Sequence, residues 1–292
     1  MRKLSKAINE MIISTPSLLW LTVFFLIPTV SVLLISLHPA DQYGNIMSGF
    51  TTDNFKRLME PVYIKIIWRT LWISAVSTLV CVVLAVPVAY YMVACRESVK
   101  KCLLIMIIVP FWTNFLIRVF AWKAVLNPEG PLRHWLIQLH IISPDTLLLY
   151  NIYVVLLVIV YTYLPFAILP IFAAADKFDF SLMEAAYDLG ATRRKAFFKI
   201  FLPGISSGIT AGTLMVFIPA LGSYVIPEMV GGTSCDMVGN LIAERVLVGR
   251  NIPEASAWAS VLLMVIVGLL GLRLTYIIIN NFRFKPWDNG KV

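Results

Sequence analysis

The sequence carries little charge: of 292 residues, only 14% are Asp, Glu, Lys or Arg. A soluble domain of this length carries about a quarter, so a water-soluble globule is excluded. Cysteine is scarce too. Cys81, Cys95, Cys102 and Cys235 form no C-x-x-C pair, so spacing gives neither a disulfide framework nor a zinc site. His38, His134 and His140 fall in expected outer segments, without Cys or carboxylate at ligand spacing, and read as surface histidines. There is no G-x-x-x-x-G-K-[ST] loop to cradle a nucleotide phosphate. No H-E-x-x-H, nucleophile elbow or pair of intramembrane aspartates speaks for a membrane enzyme. Neither an internal repeat nor a midplane carboxylate supports a self-contained secondary transporter.

What is present is apolar length. Hydrophobic residues make up 59% of the chain, and mean hydropathy is +0.83. Six stretches reach the roughly 20 residues needed to cross a bilayer, near 17–37, 70–94, 102–122, 149–174, 205–227 and 257–280. The first is too long for a signal-peptide core and lacks a small-x-small cleavage site, so it reads as an uncleaved span. The expectation is an all-α membrane protein of six spans, with an N-terminal segment 1–16, a long loop 176–203 and a tail 281–292.

The net charge of +8 fits the positive-inside rule better than nucleic-acid binding. Fourteen Lys and Arg fall in the termini and the loops after spans two and four; eight fall in the alternate loops, which are longer. Both termini are therefore expected in the cytoplasm. Arg118 and Arg273 lie within or near span ends, where snorkelling to headgroups is the expectation. Pro28, Pro87, Pro110, Pro165, Pro170 and Pro219 predict kinks. Gly204, Gly208 and Gly212 predict one smooth face for close helix packing.

The loop after span four is the most informative segment. Ser181 followed by Glu184 reads as a capping box opening a helix at Leu182, and Gly190 as its left-handed stop. Two turns are too few to stand alone in water, so this helix must pack on something. Thr192 is expected to cap a second helix running to Pro203. Arg193, Arg194 and Lys195 in its first turn carry the wrong sign for a helix N-terminus. They suit an interfacial helix facing lipid phosphates, or an acidic partner surface.

Glu184-Ala185-Ala186, then Gly190, then hydrophobics ending Leu202-Pro203, resembles the EAA motif of ABC importer permeases. One departure is visible: Gly204-Ile-Ser-Ser-Gly208 stands where many members have a second proline. The stretch from Val109 to Trp122 and the stretch from Ile218 to Gly232 are similar to signatures of spermidine/putrescine permeases of the PotB/PotH type. The resemblance implies a type I, MetI-like permease fold in the bacterial inner membrane. It implies that Ser181, Glu184, Ala185, Ala186 and Gly190 form an ATPase-coupling loop. It also implies a second permease subunit, a separate ATPase dimer that binds ATP and Mg, and a periplasmic or lipoprotein polyamine-binding protein. No cofactor is expected in this chain.

A cation path is the companion expectation. Trp112 and Asn114 near the middle of span three, and Tyr161 and Tyr163 near the middle of span four, sit away from the interfaces where such aromatics gather. Aromatic faces attract ammonium groups. Glu228, between Pro227 and Gly231, would draw a polyamine at the outer end of span five. The plain alternative is that the aromatics fill a core and Glu228 is a solvated loop residue. For the whole chain the alternatives are a permease for another small solute, or a secondary transporter.

Overall fold

A computed structural model describes the backbone of residues 14–283, and the side chains of 14–271 and Thr275. The segments 1–13 and 284–292 and the side chain of Arg273 lie outside the described residues. Apart from one isolated antiparallel bridge, Ala40 with Ile46, the regular structure among the described residues is helical. The helices are α1 (Ser14–Ile35), α2 (Asp53–Leu58), α3 (Pro61–Ala94), α4 (Glu97–Trp112), α5 (Phe115–Leu126) and α6 (Pro131–Gln138). There follow α7 (Ile152–Asp176), α8 (Ser181–Asp188), α9 (Arg193–Gly204), α10 (Ser206–Leu221), α11 (Val238–Leu247) and α12 (Ile252–Arg283).

Four of these are long and apolar enough to cross a membrane alone: α1, α3, α7 and α12. Two further crossings are bent. The stretch Glu97–Trp112 meets Phe115–Gln138 at 91°, and Arg193–Gly204 meets Ser206–Leu221 at 67°. Counting each bent pair as one span gives six. The third span, expected near 102–122 with a kink from Pro110, breaks at Thr113. Its break has a local cause. Pro110 brings no N–H to the last turn of α4, and Thr113 is extended at φ −80° and ψ 142°. Asn114 then opens a new helix by accepting from the Leu116 N–H at 2.8 Å. The expected fifth span, 205–227, is shorter: α10 ends before Gly222, and a separate π turn covers Pro227–Gly231.

The chain forms two compact units: residues up to Ile64 with those from Leu241 on, and Lys65–Asn240. In the first, α1 and α2 pack on α12. Asn251 caps the start of α12 and its side chain pairs with that of Glu254. Asn251 Oδ1 accepts from the Glu254 N–H at 3.1 Å, and Asn251 Nδ2 donates to Glu254 Oε2 at 3.0 Å. Arg245 Nε donates to Glu254 Oε1 at 2.9 Å, and its Nη2 to the Tyr63 hydroxyl at 3.0 Å. Burial disfavours the charged guanidinium, but Glu254 and Tyr63 outweigh it and hold the Arg245 pKa above its ordinary value.

In the second unit the most extensive packing is between α7 and α10. Glycine sets the distance. A Cβ on Gly208 would lie 2.4 Å from Ala174 Cβ and 2.7 Å from the Pro170 carbonyl oxygen; one on Gly212 would lie 3.1 Å from the Ala167 carbonyl oxygen. The backbones approach as in small-xxx-small membrane packing. Two buried clusters flank this contact. One gathers Met92, Ile171, Phe201 and Ile205 with Met183 and Ala186 of α8; the other gathers Ile73, Val119, Ile159 and Ile226.

Candidate functional site

The loop between α7 and α10 folds into two capped helices. The cap of α8 differs from expectation. The helix begins at Ser181, Phe180 holds the N-cap position, and no side chain caps there. Asp179 serves instead, its Oδ1 accepting from the Ser181 N–H at 3.0 Å. The Ser181 hydroxyl and backbone N–H hold the Asp179 carboxyl below its usual range. An aspartate two residues upstream out-competes the Ser181–Glu184 box because an ionised acceptor bonds more strongly than a hydroxyl.

At the other end Gly190 has φ +82°. Its N–H donates to the Tyr187 carbonyl at 2.9 Å, and the Ala191 N–H to the Ala186 carbonyl at 2.9 Å. These two bonds form a Schellman stop, the reason a glycine stands there. Thr192 Oγ1 then caps α9 by accepting from the Lys195 N–H at 3.4 Å, leaving Arg193, Arg194 and Lys195 exposed.

The two faces of α8 differ. Met183 and Ala186 are buried in the cluster beneath. Leu182, Ala185 and Leu189 lie exposed with Glu184, and Leu189 is 89% exposed. Positions i, i+3 and i+7 share a helix face, so α8 presents an apolar stripe beside a carboxylate.

Beneath α8 lies a cluster of five rings that sequence reading missed. Phe178 and Phe180 flank Asp179, Tyr90 comes from α3, and Phe197 and Phe201 from α9. Phe201 is fully buried and packs against Tyr90 at 4.9 Å, Phe178 at 5.3 Å and Phe197 at 5.4 Å between centroids. Residues 197–201 form a π turn, and Phe178 fills the space over Gly204, where a Cβ would lie 2.4 Å from its ring. Lys100 of α4 adds a brace, bonding Asp176 at 2.5 Å at the end of α7. The signal for the cluster was a run of phenylalanines on both sides of a charged loop.

The residues expected along a cation path are not brought together. Trp112, at the end of α4, is 85% exposed, and Asn114 is a helix cap. Tyr163 is half-buried, its ring 6.1 Å from that of Phe166. Tyr161 meets Trp122 edge-on at 5.4 Å. Both line an open cleft of about 470 Å³ with Pro110, Thr113 and Arg118. Arg118, expected to snorkel, is partly buried with its guanidinium 5.7 Å over the Phe111 ring, and its buried Nε has no hydrogen-bond partner among the described residues. The break at Thr113 restarts the helix, so Arg118 falls in an opening turn beside the cleft. Glu228 belongs to a separate constellation, its Oε2 accepting from Asn240 Nδ2 at 3.0 Å.

Residues 75–284 match the model of the family described as binding-protein-dependent transport system inner membrane component. The chain is 37% identical to the spermidine/putrescine transport system permease protein PotB of Haemophilus influenzae, over 86% of this chain and 87% of that protein. It is 34% identical to the protein of the same name from Escherichia coli, over 86% and 91%. The fold is similar to a solved bacterial alginate ABC transporter in complex with its pentasaccharide-bound periplasmic protein. The TM-score is 0.66 at 19% identity, over 91% of this chain and 94% of that one.

Proposed function

Since this chain belongs to the binding-protein-dependent transport system inner membrane components and is a permease subunit of an ABC importer, we propose that it imports polyamines, with α8 as the docking point for a separate ATPase. The cargo reading is supported by the PotB relatives, named for spermidine and putrescine, which it matches over most of its length.

The observation that carries the docking reading is the two-faced α8. Its inner face, Met183 and Ala186, anchors it in this chain's own core. Its outer stripe, Leu182, Ala185 and Leu189, remains exposed beside Glu184. Apolar surface of this kind on a capped helix favours burial in a partner's groove. Binding and hydrolysis of ATP with Mg are assigned to that ATPase dimer. The ring cluster under α8 gives a displaced α8 a stiff route into α3 and α9, because packed cores shift as units rather than deform. Alternating access follows if that displacement opens and closes the bundle.

The remaining assignments complete the importer: a second permease subunit, a periplasmic or lipoprotein binding protein, and both termini in the cytoplasm of a bacterial cell. Co-purification of the tagged chain, expressed with its genomic neighbours, tests the reading. The expected result is an ATPase in the complex and ATP-dependent putrescine or spermidine uptake. A complex without an ATPase, or uptake confined to another solute, overturns the corresponding half.

A further inference from the structure

The start of α3 carries a group of side chains that neither the docking helix nor the Tyr161 cleft uses. Lys65, Trp68, Arg69 and Trp72 line a shallow pocket of about 440 Å³. They stand at i, i+3, i+4 and i+7, so one face of α3 presents two cations and two indoles together. Trp68 is 69% exposed and Trp72 56%. Lys65 is exposed and makes no hydrogen bond or ion pair among the described residues. Arg69 is partly buried and held in place: its Nη1 donates to the Asp236 carbonyl at 3.3 Å. Beside it the Val238 N–H donates to Thr70 Oγ1 at 2.9 Å. The Asp236 bond uses one of the five N–H donors of the guanidinium.

The length of α3 sets the depth of this group. Residues 70–94 contain no Asp, Glu, Lys or Arg. They rise about 37 Å, enough to fill the roughly 30 Å hydrocarbon core. Lys65 and Arg69 therefore stand at headgroup level, and the indoles at the boundary where tryptophan gathers. Below them the same helix face continues in Leu79 and Val83, 63% and 60% exposed. From Trp72 to Val83 the rise is about 17 Å, close to one leaflet of that core. Charge at the top and one leaflet of open apolar surface beneath it is the layout of a phospholipid. With both termini in the cytoplasm, this end of α3 lies outside, where Lys and Arg are the rarer. The two cations run against that preference, as cations kept for an anion do.

We propose that this face of α3 binds one anionic phospholipid of the surrounding bilayer. Its phosphate sits between Lys65 and Arg69, its glycerol region against Trp68 and Trp72, and an acyl chain along Leu79 and Val83. The site goes beyond the import reading and holds for any cargo. A phosphodiester takes charge-assisted hydrogen bonds from an ammonium and from a guanidinium. Phosphatidylglycerol brings a net negative charge to them. Phosphatidylcholine brings its own ammonium, which neutralises its phosphate.

The test uses the complete importer, stripped of lipid in mild detergent, and counts bound lipids by native mass spectrometry as either phospholipid is added. The wild type is expected to take its first phosphatidylglycerol about tenfold tighter than phosphatidylcholine. One cation near a membrane surface is worth about fivefold in affinity for an anionic lipid. Lys65→Gln is therefore expected to cut the preference about fivefold, and Lys65→Arg to keep it. Because Lys65 has no partner within the chain, these variants test the site without disturbing the Arg69 anchor. Trp68→Leu/Trp72→Leu is expected to weaken both lipids several-fold and leave their ratio alone. Arg57→Gln, an equal loss of charge at an exposed position of α2, is expected to change nothing. An unchanged preference in Lys65→Gln overturns the proposal, as it would if a second subunit covered this face. An equal loss in Arg57→Gln also overturns it, since the response would then be to net charge alone. So does normal binding of both lipids in the double tryptophan variant. Displacement of the lipid by glycerol 3-phosphate, which has the phosphate but no acyl chains, would leave only an anion site and overturn the lipid assignment.

Discussion

Gly208 and Ala174 meet so closely that a Cβ on the glycine would lie 2.4 Å from the Cβ of the alanine, with the Pro170 carbonyl 2.7 Å away. One neighbour is backbone, so the contact cannot relax by a side chain swinging aside. Gly208→Leu is expected to force α10 off α7 and destabilise the protein by about 1–3 kcal/mol or more, as overpacking does. Thermal unfolding in detergent measures this as a lowered midpoint, with Gly208→Ala between the leucine variant and wild type. An unchanged midpoint for the leucine variant would mean that the two helices are not packed this way.

Gly190 offers the opposite case. No atom lies within 4 Å of a Cβ built there, but its φ is +82°. Replacement costs backbone strain of about 1–2 kcal/mol without a clash. Gly190→Val is expected to reach the membrane in normal amounts while losing ATPase co-purification and uptake. Normal uptake in that variant would count against the docking role of α8.

The two faces of α8 predict a split. Leu189→Asp alters an exposed residue and is expected to leave the unfolding midpoint unchanged while abolishing co-purification of the ATPase. Met183→Asp places an unpaired carboxylate in the core and is expected to lower the midpoint itself. Equal effects on the midpoint would show that the outer stripe packs within this chain.

Asp179 sets a pH dependence. Its folded pKa is held down by Ser181, so its capping contribution is fully present above the ordinary carboxylate pKa. It is lost only as pH falls through the depressed folded value. Amide hydrogen exchange in α8, corrected for intrinsic rates, is expected to be the same at pH 7 and pH 5 and to quicken in Asp179→Ala at both. Quickening of the wild type by pH 5 would place the cap on another group.

At the start of α12, Glu254 is 5% exposed and bonded to Arg245 and Asn251. Glu254→Ala takes the nearer carboxylate from Arg245, which keeps Tyr63 and Glu244, and losing a hydrogen bond between charged groups costs about 1.5–3 kcal/mol. Replacing both, as Arg245→Met/Glu254→Leu, is expected to recover part of the lost midpoint, because no partly paired guanidinium is then left.

Hydropathy made the apolar crossings legible, and the glycine spacing in Gly204, Gly208 and Gly212 foretold the tight contact with α7. Gly190 was readable because a left-handed stop leaves few choices of residue. Pro110 foretold a kink in the third span but not that the helix would stop at Thr113, since hydropathy runs unchanged through Trp112 and Phe115 and only Asn114 marks the restart. The cap at Asp179 lost to a familiar Ser–x–x–Glu spacing, although the stronger acceptor stood two residues earlier. The same spacing logic, applied to Asn251 and Glu254, would have found the cap at the start of α12. Asn240 had no local signal at all: its partners lie 16, 12 and 3 residues away, and only folding brings the first two to it.

The π turn at 197–201 holds one residue more than an α-helix of the same reach needs. That extra residue is absorbed within the turn, so the helix on either side keeps its phase. Deleting Lys199, which is exposed and belongs to no ring contact, would return the turn to α geometry and leave Gly204 against Phe178. Deleting a residue between the turn and Gly204 has no such surplus to draw on and would rotate the glycine by about 100° about the helix axis, away from Phe178. The turn is thus a reserve of one residue, which tolerates a loss that the helix beyond it does not.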